Sequence, residues 1–125
     1  MPTAQTLERF IARVEENAHA EAIAEFYAPH ATMQENQFPP RVGRDFLIQN
    51  EKSVLARAKS VQSQCVRPVL VNGDIVVIRW IFDFVWLDGS KTHMEELAYQ
   101  RWEGEQIAQE QFFYDPVQLK PVPAA

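Results

Sequence analysis

Glu96 and Glu110 fall among aromatic residues, and that pairing is the first place in the chain to look for chemistry. A carboxyl group surrounded by apolar rings loses hydration, which disfavours its charged form and moves its pKa toward neutrality, where it can both give and take a proton. The placement follows from strand periodicity. Ile75 to Leu87 is an almost unbroken apolar run in which Val76, Ile78, Trp80, Phe82, Phe84 and Trp86 share one face, while Ile75, Val77, Arg79, Ile81, Asp83 and Val85 share the other. Turns at Asp88-Gly89 and Glu103-Gly104 predict two more antiparallel strands, Glu95 to Trp102 and Ile107 to Tyr114. If the first turn is a three-residue loop with a bulge, Met94, Glu96, Ala98, Gln100 and Trp102 join the aromatic face, followed by Ala108, Glu110, Phe112 and Tyr114. A two-residue loop would exchange Glu96 for Glu95.

Carboxylates are almost never fully buried without a partner, so two of them on this face imply a polar cavity, a partner or a shared proton. Tyr27 and Tyr114 each offer an apolar body and a hydroxyl donor, for a ligand or for the core. Trp80, Phe82, Phe84, Trp102 and Phe112, with Ala98 and Gln100 between them, would fill or line a pocket for a small hydrophobic molecule. His19, His30 and His93 show no metal-ligand spacing, so no metal is expected; they read as solvated or edge residues, with His30 near Glu35. Arg79 and Asp83 lie on the opposite face, about 13 Å apart along the strand, and are expected to pair with neighbouring strands or line a dimer surface.

The rest of the chain must position this sheet. Leu7, Phe10, Ile11 and Val14 recur at helical spacing and predict a helix over about Ala4 to Asn17. A second helix is expected from about His19 to Tyr27, ended by Pro29, followed by a short strand, Ala31 to Glu35. Phe38-Pro39-Pro40 reads as a loop, Gly43 to Ala58 as a third helix with Glu51 enclosed in its apolar stripe, and Ser60 to Val71 as a strand. The tail, 117–125, is proline-rich and expected to be extended or mobile. This order predicts an α+β fold: a curved antiparallel sheet forming a cone, with three N-terminal helices over a central pocket.

With 125 residues, the chain reads as one domain, its core at about 4–116. A net charge of −5 with scattered basic residues argues against nucleic-acid or anionic-membrane partners. One cysteine, Cys65, excludes an internal disulfide and Cys-based zinc patterns and fits a reducing compartment. The polar start is unlike a signal peptide, and the longest apolar run, interrupted by Arg79 and Asp83, is too short for a membrane helix; a cytoplasmic location is expected.

The segments Ala24-Glu25-Phe26-Tyr27-Ala28-Pro29-His30-Ala31-Thr32-Met33, Gly43-Arg44-Asp45, and Arg101-Trp102-Glu103-Gly104-Glu105-Gln106-Ile107 leading to Phe112-Phe113-Tyr114-Asp115 carry a resemblance. From Leu7 to Pro116 the chain resembles the nuclear transport factor 2-like superfamily, in particular its SnoaL-like and ketosteroid isomerase-like members. The resemblance implies a conical pocket and often a dimer built on the outer side of the sheet. It also implies a general-base carboxylate just after the first strand, a place matched by Glu35, which Phe38 and the aromatic floor would flank; that apolar surround would raise its pKa, so Glu35 has the first claim to be the base. The two oxyanion donors of the isomerase, a phenol and a neutral carboxylic acid, correspond to Phe10 and Ala98, which cannot donate. Losing one such donor lowers rates by about 100- to 1000-fold, so steroid isomerisation is not expected.

Two functions remain from the sequence. One is an enzyme without a cofactor, using Glu35 or Glu96 for proton transfer in isomerisation, cyclisation or dehydration of an apolar carbonyl compound. The other is a dimeric ligand-binding or assembly module that performs no chemistry.

Overall fold

In the computed structural model, which describes residues 1–124, three helices lie against one face of a six-stranded, curved, unclosed sheet. The helices are α1 (Ala4–Glu15), α2 (His19–Phe26) and α3 (Arg44–Ala56). The strands are β1 (Tyr27–Glu35), β2 (Arg41–Val42), β3 (Ala58–Asn72), β4 (Ile75–Trp86), β5 (Lys91–Glu103) and β6 (Gln106–Phe113). Their spatial order is β2-β1-β6-β5-β4-β3, antiparallel throughout except for the parallel β1/β6 pair.

Local chemistry explains the boundaries. Thr3 caps α1, its Oγ1 accepting the Thr6 N–H at 3.1 Å, and Leu7, Phe10, Ile11 and Val14 bury the helix's apolar stripe. The second helix ends one residue earlier than its periodicity predicts. Pro29 disfavours the α conformation at Ala28, so the chain turns extended at Tyr27, which opens β1 and pairs with Ile107 instead of projecting from α2. Pro29 itself sits inside β1, which is therefore longer than expected. The short strand β2 has no apolar alternation to announce it; it is held by two pairings to β1, Thr32 with Val42 and Met33 with Arg41.

The hairpin between β4 and β5 sets the site's register. Leu87, Asp88 and Gly89 form a three-residue loop closed by the Trp86 N–H donating to the Ser90 carbonyl at 2.8 Å, and Gly89 supplies the positive φ, 84°, that such a loop requires. Trp80 consequently pairs with Glu96 and Phe82 with Met94, so Glu96, not Glu95, shares the aromatic face.

The tail differs from its expected extended form. Residues Pro116–Leu119 make a 3₁₀ turn, Val117 N–H donates to Asp115 Oδ1 at 3.0 Å, and Val122 pairs with Lys91 at the edge of β5 that β6 leaves free. Ala125, the last residue of that expectation, lies outside the described residues. No helix among the described residues is long and apolar enough to cross a membrane.

Candidate functional site

Helices and concave sheet enclose a cavity of about 700 Å³. The narrow end is packed solid. There Phe10 of α1 meets the Trp102 indole edge-on at 6.0 Å and Phe26 at 5.5 Å, closing the cone with aromatic contacts. Trp80, Phe82, Phe84 and Trp86 form the wall along β4, and their rings run as a ladder: Trp80 and Phe82 stack at 5.5 Å, Phe84 and Trp86 at 4.9 Å and 2°. Alternate residues of one strand share a face, which is why four consecutive even positions produce this wall.

The candidate residues divide into those on the cavity and those beneath it. Tyr27, Glu35, Trp80, Phe82, Phe84, Glu96, Glu110 and Phe112 line the cavity. Ala98, Gln100 and Trp102, expected as ligand contacts, are instead completely buried in the packed end and do not reach it. Tyr114 is not on the cavity wall; its hydroxyl donates to Glu35 Oε1 at 2.8 Å. Burial, followed by that contact with Glu35, raises the Tyr114 pKa.

Each acidic residue has a different setting. Glu110 is held from both sides: the Tyr27 hydroxyl donates to its Oε1, and Gln100 Nε2 donates to its Oε2 at 2.6 Å. Trp102 Nε1 in turn donates to Gln100 Oε1 at 3.0 Å, fixing the amide. Burial pushes the Glu110 pKa up to about 7, against the lowering effect of its two donors. Tyr27 is raised well above the ordinary tyrosine value by burial first and by Glu110 second.

Among the described residues Glu96 has no hydrogen-bond partner. Surrounding atoms shield it from bulk water, and the surface it keeps faces the cavity. Its pKa is pushed up to about 8, first by desolvation and then by repulsion from Glu110, Glu35 and Glu51.

Glu35 has a different environment from the apolar one expected. Arg41 Nη1 donates to its Oε2 at 2.7 Å, and Tyr114 takes the other oxygen. Phe38, expected beside it, is 58% exposed and turns away. The reason is β2, which brings Arg41 across from β1, a pairing that proline-rich flanks conceal in the sequence.

Packing also recruits residues that strand periodicity cannot reveal. His19, read as a solvated or edge residue, is buried on the cavity wall, 3.3 Å from Glu51 Oε1 through Nδ1 and 2.7 Å from Ser63 Oγ through Nε2. Glu51 had one signal, a charge enclosed in the apolar stripe of α3, and it lines the cavity. Arg57 stands 5.9 Å over the Trp86 ring at the outer end of the ladder. His30 pairs with exposed Glu103 at 3.2 Å, away from the mouth, and His93 with Asp83 at 2.5 Å on the outer face. No group of three His, Cys, Asp or Glu among the described residues has metal-site geometry.

Residues 7–110 match the family described as the SnoaL-like domain. Among solved structures, a candidate SnoaL-like polyketide cyclase from Mesorhizobium loti is 20% identical, with a TM-score of 0.73 over 89% of this chain and 97% of its own. A protein of unknown function with an NTF2-like fold from Burkholderia pseudomallei is 11% identical, with a TM-score of 0.77 over 92% of both chains. A protein with a ketosteroid isomerase-like fold from Catenulispora acidiphila, solved with trimethylamine, is 16% identical, with a TM-score of 0.74 over 90% of this chain and 87% of its own. At these identities the likeness is one of fold. No curated protein matches the chain.

Proposed function

The chain belongs to the SnoaL-like domain family, and on that premise we propose that it binds a small hydrophobic molecule in its cavity and catalyses proton transfer on it without a cofactor. Isomerisation, aldol-type cyclisation and dehydration of a carbonyl compound all share this step. The observation that supports the reading is Glu96: an unpartnered carboxyl, shielded from bulk water, facing a cavity walled by rings, with its pKa at about 8. Such a group exists in both protonation states near neutral pH, as a general acid or base requires. Glu96 carboxylate would take an α-proton and return it to a different atom, while Arg41, the cation on the same cavity wall that Glu35 holds, would polarise the carbonyl oxygen. Glu35 would thus orient Arg41 and Tyr114, and Glu110, with both oxygens occupied, would hold the floor in place.

Deuterium exchange at the α-carbon of 2-tetralone in D₂O, followed by NMR, tests the assignment. The wild type should accelerate exchange over buffer, and Glu96→Gln should remove about 100-fold of that acceleration, the usual range for general acid-base catalysis, with the ketone's affinity changed by less than about 1 kcal/mol. Loss on Glu35→Gln with Glu96→Gln unaffected would exchange the two roles.

The packed Phe10 and the buried Ala98 at the isomerase's donor positions favour a second reading, a ligand-binding module with no chemistry. Tight binding of 2-tetralone with exchange no faster than in buffer would establish it.

A further inference from the structure

Among the described residues, each acid on the cavity wall has a polar partner except one. Glu35 is neutralised by Arg41 at 2.7 Å, Glu51 contacts His19 at 3.3 Å, Glu110 receives Tyr27 and Gln100, and Asp88, at the cavity's edge, accepts from the Ser90 hydroxyl at 2.6 Å. Arg57, the remaining cation on the wall, is occupied at the far end of the ladder over Trp86. Glu96 alone receives no donor, although it lies within repulsive range of three other carboxyl groups. Directly across the strand pair from it is Trp80, stacked on Phe82. Aromatic faces carry a negative quadrupole and attract cations, most strongly where water is excluded, and Arg57 shows that this ladder already accepts one at its outer end.

We propose that the cavity's ligand is an apolar molecule bearing a cationic amine, protonated or quaternary, seated against the inner rings of the ladder beside Glu96. This deepens the functional reading above and rests on its premise that the cavity is a ligand site. A neutral ligand leaves the Glu96 carboxyl shielded from bulk water without a partner. A cation supplies the missing countercharge to Glu96, gains the ring faces, and displaces the proton that Glu96 holds in the empty cavity.

The experiment compares 3-phenylpropylamine, charged at pH 7, with 3-phenylpropan-1-ol, which has the same apolar body and no charge, by calorimetry in two buffers of different ionisation enthalpy. The amine should bind about tenfold more tightly, consistent with a desolvated cation–ring contact and a paired carboxylate, and should release close to one proton per site. Glu96→Gln should reduce the preference to about threefold or less and abolish the release. Equal or tighter binding of the alcohol, or amine binding with no proton released by the wild type, would overturn the charge assignment while leaving the cavity a ligand site. Failure of the amine, the alcohol and 2-tetralone alike to bind would remove the ligand-site reading together with this one.

Discussion

Glu96 and Glu110 are two carboxyls of one cavity separated by what they touch. Glu110, gripped by Tyr27 and Gln100, is a structural acid whose pKa sits at about 7; Glu96, gripped by nothing, reaches about 8. Both folded-state values lie above the ordinary carboxylate value of 4.5, so between about pH 4.5 and 8 the folded chain holds protons that the unfolded chain has released. These groups therefore contribute stability below about pH 4.5 that is lost as pH rises through their folded pKa values, by on the order of several kcal/mol together. Thermal melts should show wild-type stability falling between pH 5 and pH 8. Glu96→Gln, which imitates the neutral acid, should match the wild type at pH 5 and melt several degrees higher at pH 8. Parallel melting curves at both pH values would mean that Glu96 is well solvated. The same logic governs Ala98, which lies fully buried in the packed end. Ala98→Asp introduces a carboxyl with no room and no donor, so the Phe10→Tyr, Ala98→Asp double variant should lose about 3 kcal/mol or more on denaturant unfolding, and it should gain no steroid isomerase activity.

The element that closes the cavity is the segment after β6, where Leu119 and Pro121 stand on the wall and Gln118 clamps the backbone of Glu95, its Oε1 accepting the Glu95 N–H at 2.7 Å. Removal of residues 116–125 should therefore open the site at Trp86, which is half-buried, while leaving Trp80 and Trp102 in the core. Acrylamide should quench the shortened chain's tryptophan fluorescence more strongly than the full chain's, and Trp86→Phe should erase that difference; equal quenching would show that the segment does not cover the mouth. This element was least legible in the sequence because its order comes from one strand edge and a side-chain clamp, neither of which leaves a periodic pattern. By contrast, β4 to β6 were legible in detail: alternation places Glu96 and Glu110 on the ring face, and Gly89 decides the register. Between these extremes stand His19, Glu51, Arg41 and Arg57, whose presence on the cavity depends on how helices and the β2 edge pack against a distant sheet. For Tyr27, helical periodicity ran one residue too far because the restriction that Pro29 places on Ala28 was the stronger local signal.

At the scale of the whole molecule, the helices cover only the concave face of the sheet, which leaves the convex face as a second large surface. Leu97 and Tyr99 are each 45% exposed there and Phe113 38%, all on neighbouring strands. Val77, Ile81 and Val85 on the same face are half-buried, while Leu70 of β3 adds a further exposed side chain beside Val77. The ion pair of His93 with Asp83 lies on the same face, as does exposed Arg79, directly across from Leu97, so the face mixes apolar side chains with charged ones. Exposed apolar side chains gathered on one face are unfavourable in water, and a twofold dimer buries the same patch from both copies. Sedimentation equilibrium at about 100 µM should accordingly give twice the 14.4 kDa chain mass. Leu97→Asp sets a charge near the same charge of the partner across the axis and should shift the population to single chains, with the cavity still binding 2-tetralone because Leu97 points away from it. A 14.4 kDa species at that concentration for the wild type would show that this face is tolerated in water as it stands.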